Sequence, residues 1–421
     1  MSSSRTAVPS RPNLTSLMYS LPVRRLKEIL TRVVPDATLG PVDELPSTQL
    51  PRLYSLSMSD DRKLLLSFAP SLAVRLLRQE ATLLTSEATL VYFIAGSERR
   101  TAEMEGSPHS DIEVPSAISL SKLVPKLLKH SSNNREMAYP YSIFESTAGA
   151  PLSTLSIYLS LPERRLIDKQ VGSMARALAS LTSPTGSFGT VSQVMDDPFK
   201  IPLPSAVPAV GLPTWSQAFN TLLENILRDG EDMTVLLPYE TVRAHYQRVS
   251  WHLDAVSLPR LVILDVGSET NLMVDRGMDE NASSSSVGPV KITGLRSWSQ
   301  GVFGDPLMSD AFEDPKEGFL EGWREGGEED IIEDEANTEI RLLLYRCYRA
   351  VVSIVTEYYR PQPDSSRREL EGRRKLTSVL AELEKVDVAV IDALKRVRSL
   401  SDEAPDGNEN SKRQKLDKEN A

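Results

Sequence analysis

An aspartate and an asparagine stand close together at the end of an apolar run in the second half of the chain. The run RLVILD covers positions 260–265 and ends in Asp265, and Asn271 follows after VGSET. A carboxylate can accept a proton from a hydroxyl group, and an amide oxygen can bind a hard cation. Both residue types also form turns at strand ends, so a catalytic and a structural interpretation of the pair stay open.

The single cysteine and the histidines indicate no second chemical site. Cys347 lies within the apolar stretch 342–355, which predicts a core position rather than a nucleophile. Because one cysteine cannot form an internal disulfide, a reducing compartment is the natural location. The four histidines do not stand at metal-ligand spacing from this cysteine; they are His109, His130, His245 and His252.

The first third of the chain predicts strands together with a few helices. Two short apolar runs, 52–58 and 62–69, flank the polar turn Ser59-Asp60-Asp61 and predict a β-hairpin. Apolar residues at helical spacing predict a helix over 14–34 with a break at Pro22. The periodicity and residue types further predict helices over 72–95 and 117–130 and a strand over 139–145.

The remainder of the chain predicts mainly helices. Its amphipathic stretches predict helices over 162–181, 214–229, 238–253, 338–359 and 366–399, with strands over 260–265, 271–274 and 290–295. This order is typical of an α+β protein with a small β-rich lobe and a larger helical lobe, joined close to 139–149. The predicted divisions are 1–38, an N-terminal extension with a helix; 39–138, the N-lobe; 139–400, the helical C-lobe; and 401–421, a disordered tail.

Two motifs in this order resemble the aminoglycoside phosphotransferase-like proteins of fungal type, a kinase-like family of small-molecule phosphotransferases. That family's catalytic loop reads L-V-H-x-D-x-x-x-x-N-x-x-V-D, and residues 261–275 read LVILDVGSETNLMVD. Its next motif reads x-x-G-I-I-D-W-E-x-x-x-x-G-D-P, and residues 292–306 read ITGLRSWSQGVFGDP. Residues 62–70, 77–88 and 139–152 resemble the family's third strand, paired helix and lobe connection. The ordered set is more specific than any one motif.

The resemblance implies a bilobal protein-kinase-like fold that uses ATP and Mg²⁺ as cofactors. It assigns Asp265 as the catalytic base and Asn271 as a metal and nucleotide ligand, although Asn271 lies one residue further along than the family pattern. It also assigns Glu80 or Glu87 as the helix glutamate that holds a phosphate-binding lysine. By the same resemblance, Asp305 of the G-D-P segment is structural.

Several positions that carry the family's chemistry are replaced. The strand lysine position holds Ser67, the metal-binding aspartate position holds Ser297, and the histidine position holds Ile263. A serine supplies neither the point charge of a lysine nor the carboxylate that Mg²⁺ prefers. No glycine-rich loop precedes the third strand, where Gly40-Pro41 is the nearest candidate.

Three functional hypotheses follow from this pattern. The first is a degenerate phosphotransferase-like protein that binds a small molecule or a protein partner in the manner of a pseudokinase. The second is an active ATP-dependent phosphotransferase acting on a small-molecule hydroxyl, with Lys63 as a relocated lysine and Glu269 as a substitute carboxylate. The third is a nuclear interaction protein defined by its tails.

The net charge and the targeting signals limit the classes of partner and the cellular locations that we expect. The formal net charge of −10 argues against direct nucleic-acid binding, which requires a basic face. The N-terminus lacks the apolar segment of a secretory signal, and no stretch is long and apolar enough to span a bilayer. In the tail, Lys412, Arg413 and Lys415 resemble a nuclear import signal, so an import receptor is an expected partner and the location is cytoplasmic or nuclear. The same residues are equally well explained as part of a solvated charged tail.

Overall fold

Five antiparallel strands form the sheet of the N-terminal part in the order β1-β2-β3-β5-β4. The computed structural model describes residues 21–45, 50–70, 74–105, 119–133, 135–200, 209–278, 287–327 and 330–402. The strands are β1 Leu39–Leu45, β2 Arg52–Met58, β3 Lys63–Phe68, β4 Leu127–Ser131 and β5 Tyr141–Glu145. Because side chains alternate along a strand, β3 presents Leu64 and Leu66 to one face of the sheet and Leu65 and Ser67 to the other.

Helix α1, Val23–Val33, covers the first of these faces. Its buried side chains Leu26, Ile29 and Leu30 stand at helical spacing and pack in one cluster with Leu64 and Leu66. The opposite face lies against α2, Leu83–Glu105, and the C-terminal part. The sheet therefore has no solvated face at β3, and any polar side chain there must find a partner inside the protein.

The chain leaves the sheet and enters the C-terminal part at Gly149, where its backbone lies very close to that of Val274. Gly149 has φ +88°, and a Cβ at this position would lie 2.2 Å from the carbonyl oxygen of Val274. The next two residues form the short strand β6, Ala150–Pro151, which pairs with strand β9, Leu272–Met278. Both the backbone conformation and the close approach require glycine here.

The C-terminal part is mostly helical and contains two small three-stranded sheets, β10-β9-β6 and β7-β11-β8. Helix α5 packs along α9, and α10 packs along α11. Helix α3, Leu120–Leu123, precedes β4 in the N-terminal part. The helices of the C-terminal part are α4 Leu152–Leu155, α5 Leu161–Ala179, α6 Val191–Val194, α7 Trp215–Asp232, α8 Tyr239–Val249, α9 Glu317–Glu325, α10 Thr338–Tyr359 and α11 Ser365–Asp402. The strands are β7 Gly189–Thr190, β8 Arg260–Ile263, β9 Leu272–Met278, β10 Val287–Leu295 and β11 Gly301–Gly304.

The predicted α+β class and the hairpin over 52–58 and 62–69 are confirmed, since β2 and β3 pair directly. The predicted helix over 117–130 is wrong, because within the described residues 119–130 only α3 is helical and β4 follows it. Pro125 lies between the two and cannot continue a helix. Strand β1 was not predicted.

One helix boundary also differs from the sequence prediction. The helix predicted over 72–95 begins only at Leu83, after a 3₁₀ turn at Arg78–Glu80. Strand β5 pairs with β3, so the sheet continues to Glu145, within the predicted connection at 139–149. Within the described ranges, no helix has the length and apolar character needed to cross a membrane.

Candidate functional site

Ser67 of β3 and Glu87 of α2 meet at the face of the sheet that looks toward the C-terminal part. The Ser67 hydroxyl donates a hydrogen bond of 3.1 Å to Glu87 Oε2. Both side chains are buried, with 1% of Ser67 and 3% of Glu87 exposed. The pair thus occupies the positions that the sequence resemblance assigned to the lysine and its helix glutamate.

Ser297, just after β10, reaches the other oxygen of the same carboxylate. Its hydroxyl donates to Glu87 Oε1 at 2.8 Å, and the backbone N–H of Trp298 donates to the same atom at 2.9 Å. Glu87 therefore accepts three hydrogen bonds, two of them from the serines that replace the lysine and the metal-binding aspartate. We refer to Ser67, Glu87, Asn271 and Ser297 as the buried polar cluster.

Asn271 joins the cluster through the backbone of Ser297. Its Nδ2 donates to the Ser297 carbonyl oxygen at 3.0 Å, and the Ser297 N–H donates to its Oδ1 at 2.8 Å. The Asn271 side chain is completely buried. This amide, predicted as a metal ligand, thus links the loop after β8 to the segment after β10.

The cluster holds a carboxylate without a cation. Burial raises the pKa of Glu87, and the hydrogen bonds from Trp298, Ser297 and Ser67 oppose that rise. Among the residues that the structure describes, no lysine or arginine forms an ion pair with Glu87. A carboxyl group in this setting is costly to ionise because three neutral donors replace both water and a positive charge.

Asp265 lies in the loop that connects β8 to β9, where it is half-buried. The Ser268 N–H donates to the Asp265 carbonyl oxygen at 3.1 Å and closes a turn. Ile263, at the histidine position, is a buried residue of β8. The loop thus keeps the predicted base but places a core side chain where the family pattern has a histidine.

The two residues suggested as substitutes for the lost lysine and aspartate have other surroundings. Lys63 is exposed at the start of β3, and four residues of strand place it roughly 13 Å from Ser67. Glu269 forms an ion pair of 3.2 Å with Arg164 of α5. Lys63 is therefore not placed beside Glu87, and the Glu269 carboxylate is engaged by Arg164.

Glu80 binds an arginine of the C-terminal part, whereas Glu87 lies in the buried polar cluster. Glu80 lies in the 3₁₀ turn before α2 and accepts two hydrogen bonds of 2.6 Å from the guanidinium of Arg360.

The neighbours of Glu80 in this turn also bind the C-terminal helices. The Arg78 N–H donates to Asp229 Oδ2 at 3.0 Å, and Tyr348 donates to Gln79 Oε1 at 2.8 Å. We call the turn Arg78–Glu80, together with these partners, the interlobe clamp. No local sequence signal indicates the clamp, because its partners lie far along the chain.

Asp305 has the structural role that was expected for it. It accepts hydrogen bonds from Arg341 at 2.8 Å and from the Tyr345 hydroxyl at 2.7 Å, and it caps the turn at Leu307 N with 3.1 Å. Trp215 Nε1 donates to the Tyr345 hydroxyl at 2.7 Å. These side chains are fully buried and connect β11 with α7 and α10.

Comparison with known proteins supports the fold. No family model matches the sequence, and no curated protein matches it. Among solved structures, a putative aminoglycoside phosphotransferase from Ralstonia eutropha aligns with a TM-score of 0.52 and 10% identity over 86% of this chain and 98% of the other. The GDP complex of aminoglycoside 2'-phosphotransferase-IIIa aligns with a TM-score of 0.48 and 14% identity over 86% and 99%. A putative fructosamine-3-kinase from Thermobifida fusca aligns with a TM-score of 0.47 and 13% identity over 82% and 98%.

The first of these alignments covers most of this chain and nearly the whole length of the other protein. At such low identity the likeness extends to the fold and not to the activity. The chain therefore has the kinase-like fold of the aminoglycoside phosphotransferases.

Proposed function

We propose that this chain is a catalytically impaired phosphotransferase-like protein that works as a binding or scaffold module. The observation that supports this most strongly is the pair of serine hydroxyls bonded to one buried carboxylate. Ser67 and Ser297 stand where a cation and a metal ligand are needed, and both donate to Glu87 instead.

The buried polar cluster lacks the positively charged side chain that phosphoryl transfer requires. In kinase-like folds a lysine and Mg²⁺ neutralise the phosphates, and the helix glutamate serves only to hold the lysine. Here Glu87 would face the phosphates with no lysine between them. Bringing several phosphate charges toward an uncompensated buried carboxylate is unfavourable, because electrostatic repulsion is strong where water is excluded.

The burial of the cluster supports the same proposal. Asn271 is 0% and Ser297 is 2% exposed, and the Asn271 side chain bonds to the backbone of Ser297. Mg²⁺ would have to break these contacts to reach its ligands. The cost of leaving buried polar groups unpaired is about 1–3 kcal/mol for each group.

A thermal-shift titration with ATP, in the presence and absence of Mg²⁺, tests this proposal. Binding to the native state must raise the melting temperature, so we expect no Mg²⁺-dependent rise at millimolar nucleotide. An Mg²⁺-dependent rise, together with ATP turnover that Asp265→Ala abolishes, would instead establish the alternative, an active phosphotransferase of a small-molecule hydroxyl. Turnover that survives Asp265→Ala would indicate a contaminating enzyme.

We further propose that the tail directs the protein to the nucleus. The basic residues Lys412, Arg413 and Lys415 lie outside the described residues, and the proposal rests on their sequence. An import receptor recognises an extended basic peptide, which a polar tail can present. Fusing residues 401–421 to a fluorescent reporter should move it into the nucleus, and changing Lys412 and Arg413 to alanine should abolish the movement. Equal nuclear entry of both reporters would contradict the proposal.

A further inference from the structure

A short segment of the C-terminal part lies against the N-terminal sheet and its helix. Residues 195–200 follow α6 and bring the ring of Phe199 to α2 and β4. The centroid of this ring lies 5.8 Å from that of Tyr92 on α2 and 5.2 Å from that of His130 on β4. We call residues 195–200 the strap; it forms an aromatic contact between the two parts of the molecule.

The strap keeps its conformation through its own acidic residues and stays at the surface. Asp197 Oδ1 accepts a hydrogen bond of 2.9 Å from the Phe199 N–H, and Asp196 Oδ1 accepts one of 2.8 Å from the Ala209 N–H. Phe199 is 36% exposed. The strap can therefore leave α2 and β4 without unfolding the core beneath it.

Two buried polar atoms under the strap have no hydrogen-bond partner among the described residues. They are His130 Nε2 and Asp197 Oδ2. The ammonium group of Lys200 lies 3.9 Å from the second of these atoms. A buried polar atom without a partner opposes docking, and water would satisfy both atoms once the strap lifts. The apolar contact of Phe199 therefore holds the strap against an opposing cost, which predicts that it opens locally.

His130 is connected to the buried polar cluster through the sheet. Its Nδ1 and the Ser142 hydroxyl of β5 form a hydrogen bond of 2.8 Å. Ser142 pairs across the sheet with His130 on one side and with Ser67 on the other, and paired residues share a face. The row His130, Ser142 and Ser67 thus leads from the strap to Glu87, and Tyr92 and Glu87 both belong to α2.

The environment under the strap keeps His130 neutral. Burial lowers the pKa of His130 to about 4; the charge of Asp197 acts against this fall, and those of Lys129 and Lys200 act with it. The titratable groups around the ring are Asp197 and Lys200 of the strap, Lys129 of β4 and, beyond Phe199, Tyr92 of α2.

Lifting the strap exposes the His130 ring to water, and its pKa then returns toward the ordinary value of 6.5. The docked state is therefore fully stable above about pH 6.5 and loses stability as the pH falls toward 4. A protonated imidazole has two N–H donors, whereas Ser142 is the one hydrogen-bond partner of the ring within the described residues.

We propose that the strap is an acid-sensitive latch that holds α2 against the sheet at neutral pH and releases it when His130 takes up a proton. Release frees Phe199 and exposes the side of α2 that carries Tyr92. The proposal is independent of whether the buried polar cluster supports catalysis, because the strap and the cluster share no residue.

Amide hydrogen exchange of the full chain at pH 7.5 and pH 5, corrected for the intrinsic effect of pH on exchange, tests the proposal. We expect the strap and the adjoining part of α2 to lose protection about tenfold or more at pH 5, with no such loss in α5. His130→Asn keeps an amide beside Ser142 but does not titrate, so its protection should be the same at both pH values. His245→Asn, a change of another histidine on α8, is the matched control and should keep the pH response of the parent.

Phe199→Ala supplies a second measurement that does not depend on the histidine. Without the aromatic contact, the strap and the adjoining part of α2 should already exchange at pH 7.5 as fast as those of the parent at pH 5. If His130→Asn does not fold, this variant and the pH response of the parent remain decisive. Equal or greater protection of the parent at pH 5, a pH response that survives in His130→Asn, or unchanged exchange of α2 in Phe199→Ala would each overturn the proposal.

Discussion

Replacing Glu87 with glutamine should stabilise this protein, although it alters a fully buried residue. In glutamine, Oε1 still accepts from the Ser297 hydroxyl and the Trp298 N–H. The Ser67 hydroxyl, which now donates to Glu87 Oε2 at 3.1 Å, can rotate and accept from the new NH₂ group. The change therefore keeps the three contacts of the cluster and removes a buried charge that has no cation.

The size of the effect follows from proton linkage. Burial raises the pKa of Glu87 in the native state above its ordinary value. Each pKa unit of this rise destabilises the native state by about 1.4 kcal/mol once the pH exceeds the pKa of Glu87 in both the folded and the unfolded state. We therefore expect Glu87→Gln to melt above the parent at pH 7.5, and in a chain of this size each 1 kcal/mol gained corresponds to roughly 1–2 °C in melting temperature.

The stabilisation expected from Glu87→Gln depends on pH. Because the folded-state pKa of Glu87 is raised, its favourable contribution is present at acidic pH and is lost as the pH rises toward the folded value. The difference in melting temperature between Glu87→Gln and the parent should therefore be near zero at pH 4 and grow toward pH 8. Differential scanning calorimetry at several pH values measures this difference directly.

Glu80→Gln provides the matched control, because the same substitution removes a charge that does have a partner. Glu80 accepts two hydrogen bonds of 2.6 Å from Arg360, so this variant should melt below the parent. A Glu87→Gln variant that is destabilised as much as Glu80→Gln at pH 7.5 would refute the reasoning, since it would mean that the ionised form of Glu87 is favoured by a cation.

Three further changes test the contacts that hold the site in place. Arg341→Leu leaves Asp305 buried without its cation, and we expect a loss of about 3–5 kcal/mol in the free energy of unfolding; a loss near zero in denaturant titration would contradict this. Gly304→Ala places a Cβ 2.3 Å from the ring of Trp215, and thermal melting should show a loss of about 1–3 kcal/mol. Arg360→Ala removes the main cation of the interlobe clamp, so amide hydrogen exchange should speed up at the start of α2 and remain unchanged in α5.

The sequence predicts those elements whose signals are local. Alternating apolar residues on both sides of Ser59-Asp60-Asp61 indicate the hairpin, and the helical spacing over 338–359 matches α10. Strand β4 was missed because LLKHS continues an apolar pattern that also suits a helix. Only its pairing with β5, which is a tertiary contact, selects the strand.

The candidate site shows the same division between local and tertiary signals. The motif order identified Ser67 and Ser297 as replaced positions, but their separation in sequence hides the fact that both bind one carboxylate. The choice of Glu87 over Glu80 likewise depends on where the C-terminal helices place Arg360. The interlobe clamp joins residues far apart in the chain, and such contacts leave no periodic pattern to recognise.

The double variant Ser67→Lys with Ser297→Asp tests most directly the claim that these two positions disable the site. In this variant the introduced lysine is expected to pair with Glu87 and the introduced carboxylate to bind Mg²⁺, whereas Ser297→Asp alone places a second acid beside Glu87 and should destabilise the protein. The measurement is calorimetric titration of MgATP into the parent and the double variant. We predict no detectable binding to the parent and measurable, Mg²⁺-dependent binding to the double variant. Mg²⁺-dependent binding of ATP to the parent itself would contradict the account.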